Sequence, residues 1–246
     1  MIIGSEIIFK QYDESTNNSA LKLLKDSYPV EGTVIHTNYQ VAGRGQKGNV
    51  WESEDGKNLL FSIILYPEGV SPGSQFILSM AISLGITDFL RGFTAGARIK
   101  WPNDICVDND KIAGVLIENA ILNDRIVNSV AGIGFNLNQT QFPEYVPKAV
   151  SLKMITGRDF ETGDSLKELL YTIDLRYKQV IAGKDQQIRN DYQSALYRFM
   201  EWHNYKTASV TFEGRIISVA DSGILRIEDR NSDVREFMFR EVEFTG

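Results

Sequence analysis

The stretch GRGQKGNVWES, residues 43–53, lies between two strand-like segments and has no helical periodicity of its own. It holds three glycines, two cations and one Trp within eleven residues. Glycines let backbone N–H groups approach a ligand in conformations that other residues rarely adopt, and Arg44 and Lys47 suit such a loop to an anion. The loop therefore predicts a binding site for a phosphate or a carboxylate.

Two known anion-binding motifs do not fit this loop. Gly43, Gly45 and Gly48 match the G-x-G-x-x-G of a dinucleotide-binding turn, but that motif requires a helix to begin at the loop. Here residues 49–57 are polar, and the next apolar segment, NLLFSIIL from residue 58, is typical of a strand. A Walker loop is excluded because Gly48 is followed by Asn and not by Lys-Ser or Lys-Thr. An ordinary long hairpin loop remains open from this stretch alone.

The composition is that of an ordinary soluble globular protein, with 246 residues, 43% hydrophobic and 24% charged. This length suits one large domain, or one domain with a small appendage. A net charge of −6 without a long Lys/Arg block argues against nucleic acid as a partner. The N-terminal segment lacks the features of a signal peptide, and no apolar run approaches about eighteen residues. We therefore expect a cytoplasmic protein with no membrane partner.

Cys106 is the only cysteine. A single cysteine excludes an internal disulfide and a cysteine-rich metal site, and it suits a reducing cytosol. Because Cys106 lies in an apolar, strand-like run, we interpret it as a core residue and not as a nucleophile.

Periodicity predicts an α+β chain with several strands and four helices. Ser15 or Thr16 can cap a helix that places Ala20, Leu21 and Leu24 on one face, and capping alone would explain these polar residues. The predicted strands are 6–12, 34–40, 58–66, 98–100, 111–121 and 125–138, and the predicted helices begin near residue 16, at 72–74, after 163 and before 188.

The strand at 98–100 runs into Trp101-Pro102-Asn103-Asp104. Proline interrupts the ladder of hydrogen bonds, and the short polar residues favour a turn. A purely structural turn does not require Lys100 and Asp104 on either side of a Trp-Pro pair, so we interpret this turn as functional.

Glycines interrupt the last two strands of this set. Gly114 lies within 111–121, and Gly132, Gly134 and Asn136 alternate within 125–138, which puts them on one face of the strand. Glycine within a strand often marks the close approach of a ligand or of another backbone. We therefore predict a strand face that is cleared for a ligand.

From about Trp202 the chain changes to short strands separated by turns, predicted at 208–212, 215–219, 224–228 and 234–239. This pattern predicts a small antiparallel barrel. So small a unit is expected to pack against the larger one. We predict two domains, 1–200 and 201–246.

With these residues in hand, the chain resembles the biotin protein ligases along nearly its whole length. The resemblance implies a mixed β-sheet flanked by helices, like the catalytic domains of class II aminoacyl-tRNA synthetases and biotin synthetases, followed by a small Src-homology-like barrel. The matching segments are DESTNN at 13–18, YQVAGRGQKGNVWES at 39–53, KWPNDI at 100–105, KIAGVLIE at 111–118 and GIGFNLN at 132–138.

The resemblance also implies the chemistry. Biotin and ATP would react to biotinyl-AMP and pyrophosphate with the help of Mg²⁺, and a lysine of a biotin carboxyl carrier domain would then attack the mixed anhydride. No side-chain nucleophile is required, which suits a chain whose two histidines, His36 and His203, lie outside the motifs. Fixed cations and backbone N–H groups can stabilise the charge that grows on the phosphate.

The resemblance implies roles for the motif residues. Lys111, Arg44 and Lys100 would be the catalytic cations. Asp104 would be a tentative ligand of Mg²⁺. The expected biotin-binding residues are Ser15, Thr16, Asn17, Gln40, Gly43, Arg44, Gly45, Gln46, Trp51, Lys111 and Gly114. The expected ATP- and adenylate-binding residues are Arg44, Asn49, Trp51, Asn103, Asp104, Gly132 and Asn136.

Two departures from the family pattern carry expectations. The family loop often reads G-R-G-R with a further Arg or Asn three residues on, whereas Gln46 replaces the second Arg here and Asn49 fills the later position. Losing a cation beside the anhydride should make biotinyl-AMP leak faster. The chain also begins at the catalytic strand, so we expect a monofunctional ligase without an N-terminal DNA-binding domain.

Two alternative functions and the oligomeric state stay open from the sequence. A lipoate or octanoate ligase or transferase shares the fold and the logic of activation and transfer. A biotin-binding module without catalysis is the second, although a chain that keeps Arg44, Lys100 and Lys111 argues against it. The sequence does not decide whether the protein forms the homodimer that occurs in the family.

Overall fold

The computed structural model describes residues 1–46, 48–143 and 148–245, so Lys47, one of the two loop cations, lies outside the described residues. In the described part, a seven-stranded sheet forms the larger unit. Its strands are β1 (Ile7–Asp13), β2 (Val34–Gln40), β3 (Leu59–Leu65), β4 (Ala97–Lys100), β5 (Asp104–Val107), β6 (Asp110–Leu122) and β7 (Arg125–Phe135).

The strand order is β1-β2-β3-β7-β6-β5-β4. Only the pair of β1 and β2 is parallel among the described strands of this sheet, and the other neighbours are antiparallel. The α+β fold with a mixed sheet, predicted from the sequence, is therefore confirmed. Strand β7 ends at Phe135, so Asn136 follows the strand that was predicted to contain it.

Helices cover both faces of this sheet. Successive strand residues point to opposite sides, so β3 places buried apolar side chains on both faces. On one face α1 (Thr16–Asp26) buries Ala20 against Ile64 and Val130. On the other face α2 (Phe76–Leu90) packs in the main core with Phe61 and Ile63. The remaining helices are α3 (Leu152–Thr156), α4 (Thr162–Ile181) and α5 (Asp185–Ala195).

Helix α2 is buried nearly all round, since α4 covers the side that faces away from the sheet. A Cβ at Gly85 would lie 2.6 Å from the Cα of Ile173, so this glycine permits the two helices to approach closely. Within the described residues, Pro72–Leu90 is also the one helical stretch long and apolar enough to cross a membrane. Because 78% of it is buried, its apolar character is that of a core helix.

A second, antiparallel sheet follows in the order β11-β10-β9-β8-β12. The structure thus agrees with the predicted small β unit, although two local predictions were wrong. The strands are β8 (Trp202–Lys206), β9 (Thr211–Val219), β10 (Leu225–Asp229), β11 (Val234–Phe237) and β12 (Glu243–Phe244).

The predicted strand at 208–212 is mostly a turn. The Thr207 backbone N–H donates to the Val210 carbonyl, and the Thr207 hydroxyl accepts from the Val210 N–H, so the chain reverses between β8 and β9. The predicted turn at Glu213 and Gly214 lies instead within β9, where a Cβ at Gly214 would come within 2.5 Å of Ile227. Gly214 makes room for a cross-strand neighbour and does not reverse the chain.

The second sheet docks on the turn that follows β4. The indole Nε1 of Trp101 donates to the Gly223 carbonyl at 2.9 Å, and the Phe239 ring packs edge-on against the Trp101 ring at 5.4 Å. Arg189 of α5 makes a two-pronged ion pair with Asp221. Trp101, which the sequence placed in a functional turn, is therefore buried as a docking residue between the two units.

Candidate active site

A cavity of about 460 Å³ opens between the first sheet, the 43–51 loop and the second sheet. Its floor is the face of β6 and β7 that carries Gly114, Gly132 and Gly134. The residues that line it and were predicted for the site are Ser15, Thr16, Asn17, Gln40, Arg44, Gly45, Gln46, Asn49, Trp51, Asn103, Asp104, Lys111, Gly114 and Gly132.

One end of the cavity carries a cluster of amides and hydroxyls. The Gln40 Oε1 atom accepts from the backbone N–H of Thr16 at 2.8 Å and lies 3.1 Å from its hydroxyl. Ser62 on β3, which is fully buried, lies 2.6 Å from Asn17 Oδ1 and 2.7 Å from Thr16 Oγ1. Four side chains from α1, β2 and β3 thus hold one another in place, which suits them to a polar ligand with both donors and acceptors.

Ser15 occupies the N-cap position of α1, yet its side chain makes no capping hydrogen bond. Thr16 is already the first helical residue, and its side chain turns towards Gln40. Capping, the structural alternative for these residues, therefore does not account for the hydroxyl of either one.

The glycines of the floor make room for two side chains of the site. A Cβ at Gly132 would overlap the Asn17 amide, and a Cβ at Gly134 would overlap the Trp51 indole ring. Gly114 lies beneath the same ring, with Trp51 Cζ3 at 3.1 Å from its would-be Cβ. The strand face is cleared for the side chains of Asn17 and Trp51, which line the cavity above it, whereas the sequence predicted that it is cleared for a ligand.

Lys111 stands at the other end of the cavity. Its Nζ lies 2.7 Å from Asp104 Oδ1 and 5.3 Å from the centre of the Trp51 ring. Strands β5 and β6 carry these two residues, and a bulge in their pairing follows Ile105. About one third of each charged side chain is exposed, so the pair is open to solvent and to an anionic ligand.

Cys106, beside this pair, is a core residue as predicted. It is 3% exposed, and burial, followed by the negative charge of Asp104, raises the pKa of its thiol to about 11. A thiol with such a pKa is protonated at neutral pH and is a poor nucleophile.

The 43–51 loop is a narrow hairpin folded over the cavity. The Trp51 N–H donates to the Gly43 carbonyl at 2.9 Å, and the Gly45 N–H donates to the Asn49 carbonyl at 2.7 Å. From the second sheet, Arg240 Nη2 donates to the Gln46 carbonyl at 2.7 Å. The described residues of the loop therefore have regular turn bonds and are tied to the second sheet through Arg240.

Arg44, the loop cation, points to a carboxylate of the protein. Its Nη2 lies 2.6 Å from Glu118 Oε2, and the same oxygen accepts from Asn17 Nδ2 at 2.7 Å. Glu118 was not among the predicted site residues. It closes the KIAGVLIE motif and shares a strand face with Gly114 and Leu116, and that alternation was the signal that could have identified it.

Three predicted residues lie outside the cavity lining. The Lys100 Nζ rests over the rings of Tyr197 and Phe244, at 5.8 and 5.5 Å from their centres. Asn136 is 3% exposed, and its amide donates to the Val150 carbonyl at 3.1 Å, because its strand has already ended. Gly43 contributes backbone to the loop hairpin and does not face the cavity.

The second sheet supplies lining residues that the sequence did not indicate, which are Arg240, Val242, Glu243 and Phe244, and Trp101 and Pro102 add to the lining from the turn that the sequence analysis interpreted as functional. They come from positions more than a hundred residues beyond the loop or from a turn that also packs between the sheets. The motif pattern carried no signal for Arg240.

The side chains of the cavity do not form a resident metal site. Within residues 1–46, 48–143 and 148–245 no group of three or more potential metal-ligating side chains occurs. Asp104, the tentative Mg²⁺ ligand, is a single carboxylate already paired with Lys111. One carboxylate suits at most a metal ion that arrives with the phosphates of a nucleotide.

The chain is similar to known proteins over most of its length. The model of the biotin/lipoate A/B protein ligase family matches residues 9–136. The bifunctional ligase/repressor BirA of Bacillus subtilis is 28% identical over 250 residues, which cover 98% of this chain and 75% of BirA. The biotin–[acetyl-CoA-carboxylase] ligase of Mycobacterium tuberculosis is 30% identical over 161 residues, covering 61% of this chain and 58% of that protein.

Solved structures share the fold over nearly the whole chain. The biotin protein ligase from Aquifex aeolicus in complex with biotin and ATP superposes with a TM-score of 0.80 and 24% identity, covering 98% of this chain and 100% of that chain. The ligase from Leishmania major in complex with biotinyl-5-AMP has a TM-score of 0.65 and 18% identity, covering 95% and 99%.

Proposed function

The chain belongs to the biotin/lipoate A/B protein ligase family, and we propose that it is a biotin protein ligase. It activates biotin with ATP and transfers it to a lysine of a biotin carboxyl carrier domain. The observation that carries this proposal is a single cavity with an amide and hydroxyl cluster at one end and the Lys111 cation beside Trp51 at the other. Biotin has a ureido ring at one end and a carboxylate at the other.

The amide cluster favours biotin over lipoate and octanoate. Thr16, Asn17, Gln40 and Ser62 offer donors and acceptors, and Thr16, Asn17 and Ser62 are buried. A ureido group can form further hydrogen bonds with them, whereas a dithiolane ring or an alkyl chain offers them none. A site built around hydrogen bonds rejects ligands that lack them by large factors.

In the first half-reaction the carboxylate of biotin attacks the α-phosphate of ATP and pyrophosphate leaves. Lys111 supports this step, because a fixed cation beside the reacting oxygens lowers the cost of bringing two anions together. Asp104 would hold the Lys111 ammonium in place through its 2.7 Å ion pair. We take Mg²⁺ to enter with ATP as part of the substrate, in keeping with its preference for phosphate oxygens.

In the second half-reaction the amine of the carrier lysine attacks the acyl carbon of biotinyl-AMP. An amide bond forms, the acyl–phosphate bond breaks, and AMP and one proton are released. Trp51 and the 43–51 loop would shield the mixed anhydride from water until the carrier arrives, since hydrolysis of such an intermediate wastes ATP.

Transfer of biotin to a carrier tests this proposal. The purified protein, biotin and MgATP are incubated with a biotin carboxyl carrier domain, and the carrier mass is measured. We expect a mass gain of one biotinyl group that disappears when the target lysine is replaced by Arg. Biotin binding by calorimetry without any mass gain on the carrier or AMP release would favour a non-catalytic binding module instead.

A further inference from the structure

Arg44, one of the cations that the proposed reaction requires, is paired with Glu118. Arg44 Nη2 and Asn17 Nδ2 both meet the Oε2 atom of Glu118, at 2.6 and 2.7 Å. A carboxylate that accepts two such bonds is chemically the same partner that biotin would offer to Arg44. The guanidinium keeps further N–H donors, but a cation that is paired with and oriented by Glu118 attracts a second carboxylate less strongly.

Glu118 also holds Arg44 away from the second cation. Lys111 Nζ lies beside Gly114, whereas Glu118 is four residues further along β6, a backbone separation of about 13 Å. The carboxylate and the α-phosphate must meet at one place in the cavity. Arg44 therefore has to leave Glu118 if it is to act at the same place as Lys111.

The fold of the loop does not depend on this ion pair. The Trp51 and Gly45 backbone bonds shape the hairpin, and Arg240 ties it to the second sheet. The Arg44 and Glu118 side chains are 39% and 31% exposed, so their pair adds little to stability. Its main consequence is for what Arg44 can bind.

We propose that Glu118 is a positioning residue that competes with the substrate carboxylate for Arg44. Glu118 neutralises Arg44 at the amide end of the cavity. On binding, Arg44 exchanges this carboxylate for the anion of the ligand. The inference rests on the proposed function, because it takes biotin to be the ligand.

Glu118→Gln isolates this competition. The Gln side chain keeps an oxygen that can accept from Asn17 Nδ2, but it loses the charge that holds Arg44. Since a partly exposed ion pair contributes up to about 1 kcal/mol, the dissociation constant for biotin should fall by roughly fivefold. The gain should shrink as the salt concentration rises, because exposed charges are screened.

A double-mutant cycle tests whether the effect runs through Arg44. Biotin binding is measured by calorimetry, without ATP, for the wild type, Glu118→Gln, Arg44→Gln and the double variant. With Arg44 replaced, Glu118→Gln should change the dissociation constant by less than about twofold. Glu14→Gln is the matched control, since it removes the same charge from an exposed position next to Ser15 and should leave binding unchanged.

Each outcome decides the inference. Tighter binding by Glu118→Gln, lost in the Arg44→Gln background, supports it. Unchanged or weaker binding by Glu118→Gln in a protein whose wild type binds biotin overturns the competition and leaves the proposed function standing. An equal gain in both backgrounds also overturns it, since Glu118 would then act through Asn17. A wild type that binds no biotin overturns the inference and the proposed function together.

Discussion

Trp51 lies against Gly134, with its indole ring in the space that a Cβ at residue 134 would occupy. Trp51 and Gly134 are 83 positions apart in the chain. Their contact joins the glycine-rich 43–51 loop to the glycine-containing face of β7. It sets how deeply the Trp51 ring lies over the floor of the cavity.

Gly134→Ala should displace Trp51 from the floor. Because Lys111 also packs on this ring, the added methyl group should displace both the Trp51 ring and the Lys111 ammonium. A misplacement of about 1 Å can cost roughly 100-fold in rate. Pyrophosphate exchange measures the loss. Gly163→Ala is the matched control, since a Cβ there meets nothing within 4 Å, and it should keep wild-type activity. Full activity in Gly134→Ala would contradict the close packing of Trp51.

Lys111→Ala should remove most of the adenylation activity. One well-placed donor to a developing charge contributes about 100- to 1,000-fold, and Lys111 lies beside Trp51 and Gly114 in the cavity. The rate constant for adenylate formation in a single turnover measures the effect. Lys22→Ala, on the exposed side of α1, is the matched control. An adenylation rate within about threefold of the wild type would remove Lys111 from the mechanism.

Gln46→Arg should retain biotinyl-AMP for longer. Gln46 lines the cavity where the family loop often carries a second Arg, and a cation there would hold the adenylate phosphate. We expect release to slow by about tenfold, which corresponds to about 1.4 kcal/mol. A chase of labelled adenylate from the protein gives the rate. Release as fast as that of the wild type would show that this position does not control leakage.

His36 should make the fold sensitive to mild acid. It is 7% exposed beside the Phe9 ring, and burial lowers its pKa below the ordinary 6.5. The unfolded chain then binds a proton at a higher pH than the folded protein does. Stability is therefore complete above about pH 6.5 and is lost as the pH falls from there towards the pKa of the folded state, by at most about 1.4 kcal/mol per pH unit.

Urea unfolding at about pH 7.5 and at about pH 5.5 measures this loss. In His36→Gln the difference in the free energy of unfolding between the two pH values should become smaller than in the wild type. An equal difference in both proteins would assign the acid sensitivity to other groups.

The sequence predicted those strands and loops that are determined by a few neighbouring residues. Alternation and β-branching indicated β2, β3, β6 and β7 within a few residues, and the glycines of β6 and β7 indicated a cleared face. The 43–53 loop was predicted to face a ligand from its glycines and cations, and the other motifs favoured this over an ordinary hairpin loop. These features depend on a few consecutive residues.

The contacts that the sequence could not predict join distant residues. Trp101 donates to a carbonyl 122 positions away, and Arg44 pairs with a carboxylate 74 positions away. Nothing next to Trp101 shows that a second sheet will cover it, and nothing near Asn136 shows that β7 ends one residue earlier. The strand predicted at 208–212 was wrong for a local reason. The Thr207 hydroxyl accepts from the Val210 N–H and stabilises a turn within a sequence of strand-like composition.

Exchange of labelled pyrophosphate into ATP, with biotin, lipoate, octanoate or no acid added, tests the central claim most directly. Exchange that requires biotin would establish that the cavity activates the carboxylate of biotin as an adenylate. Exchange with lipoate or octanoate in place of biotin would contradict the role given to the amide cluster. An absence of exchange with every acid would contradict the ligase activity itself.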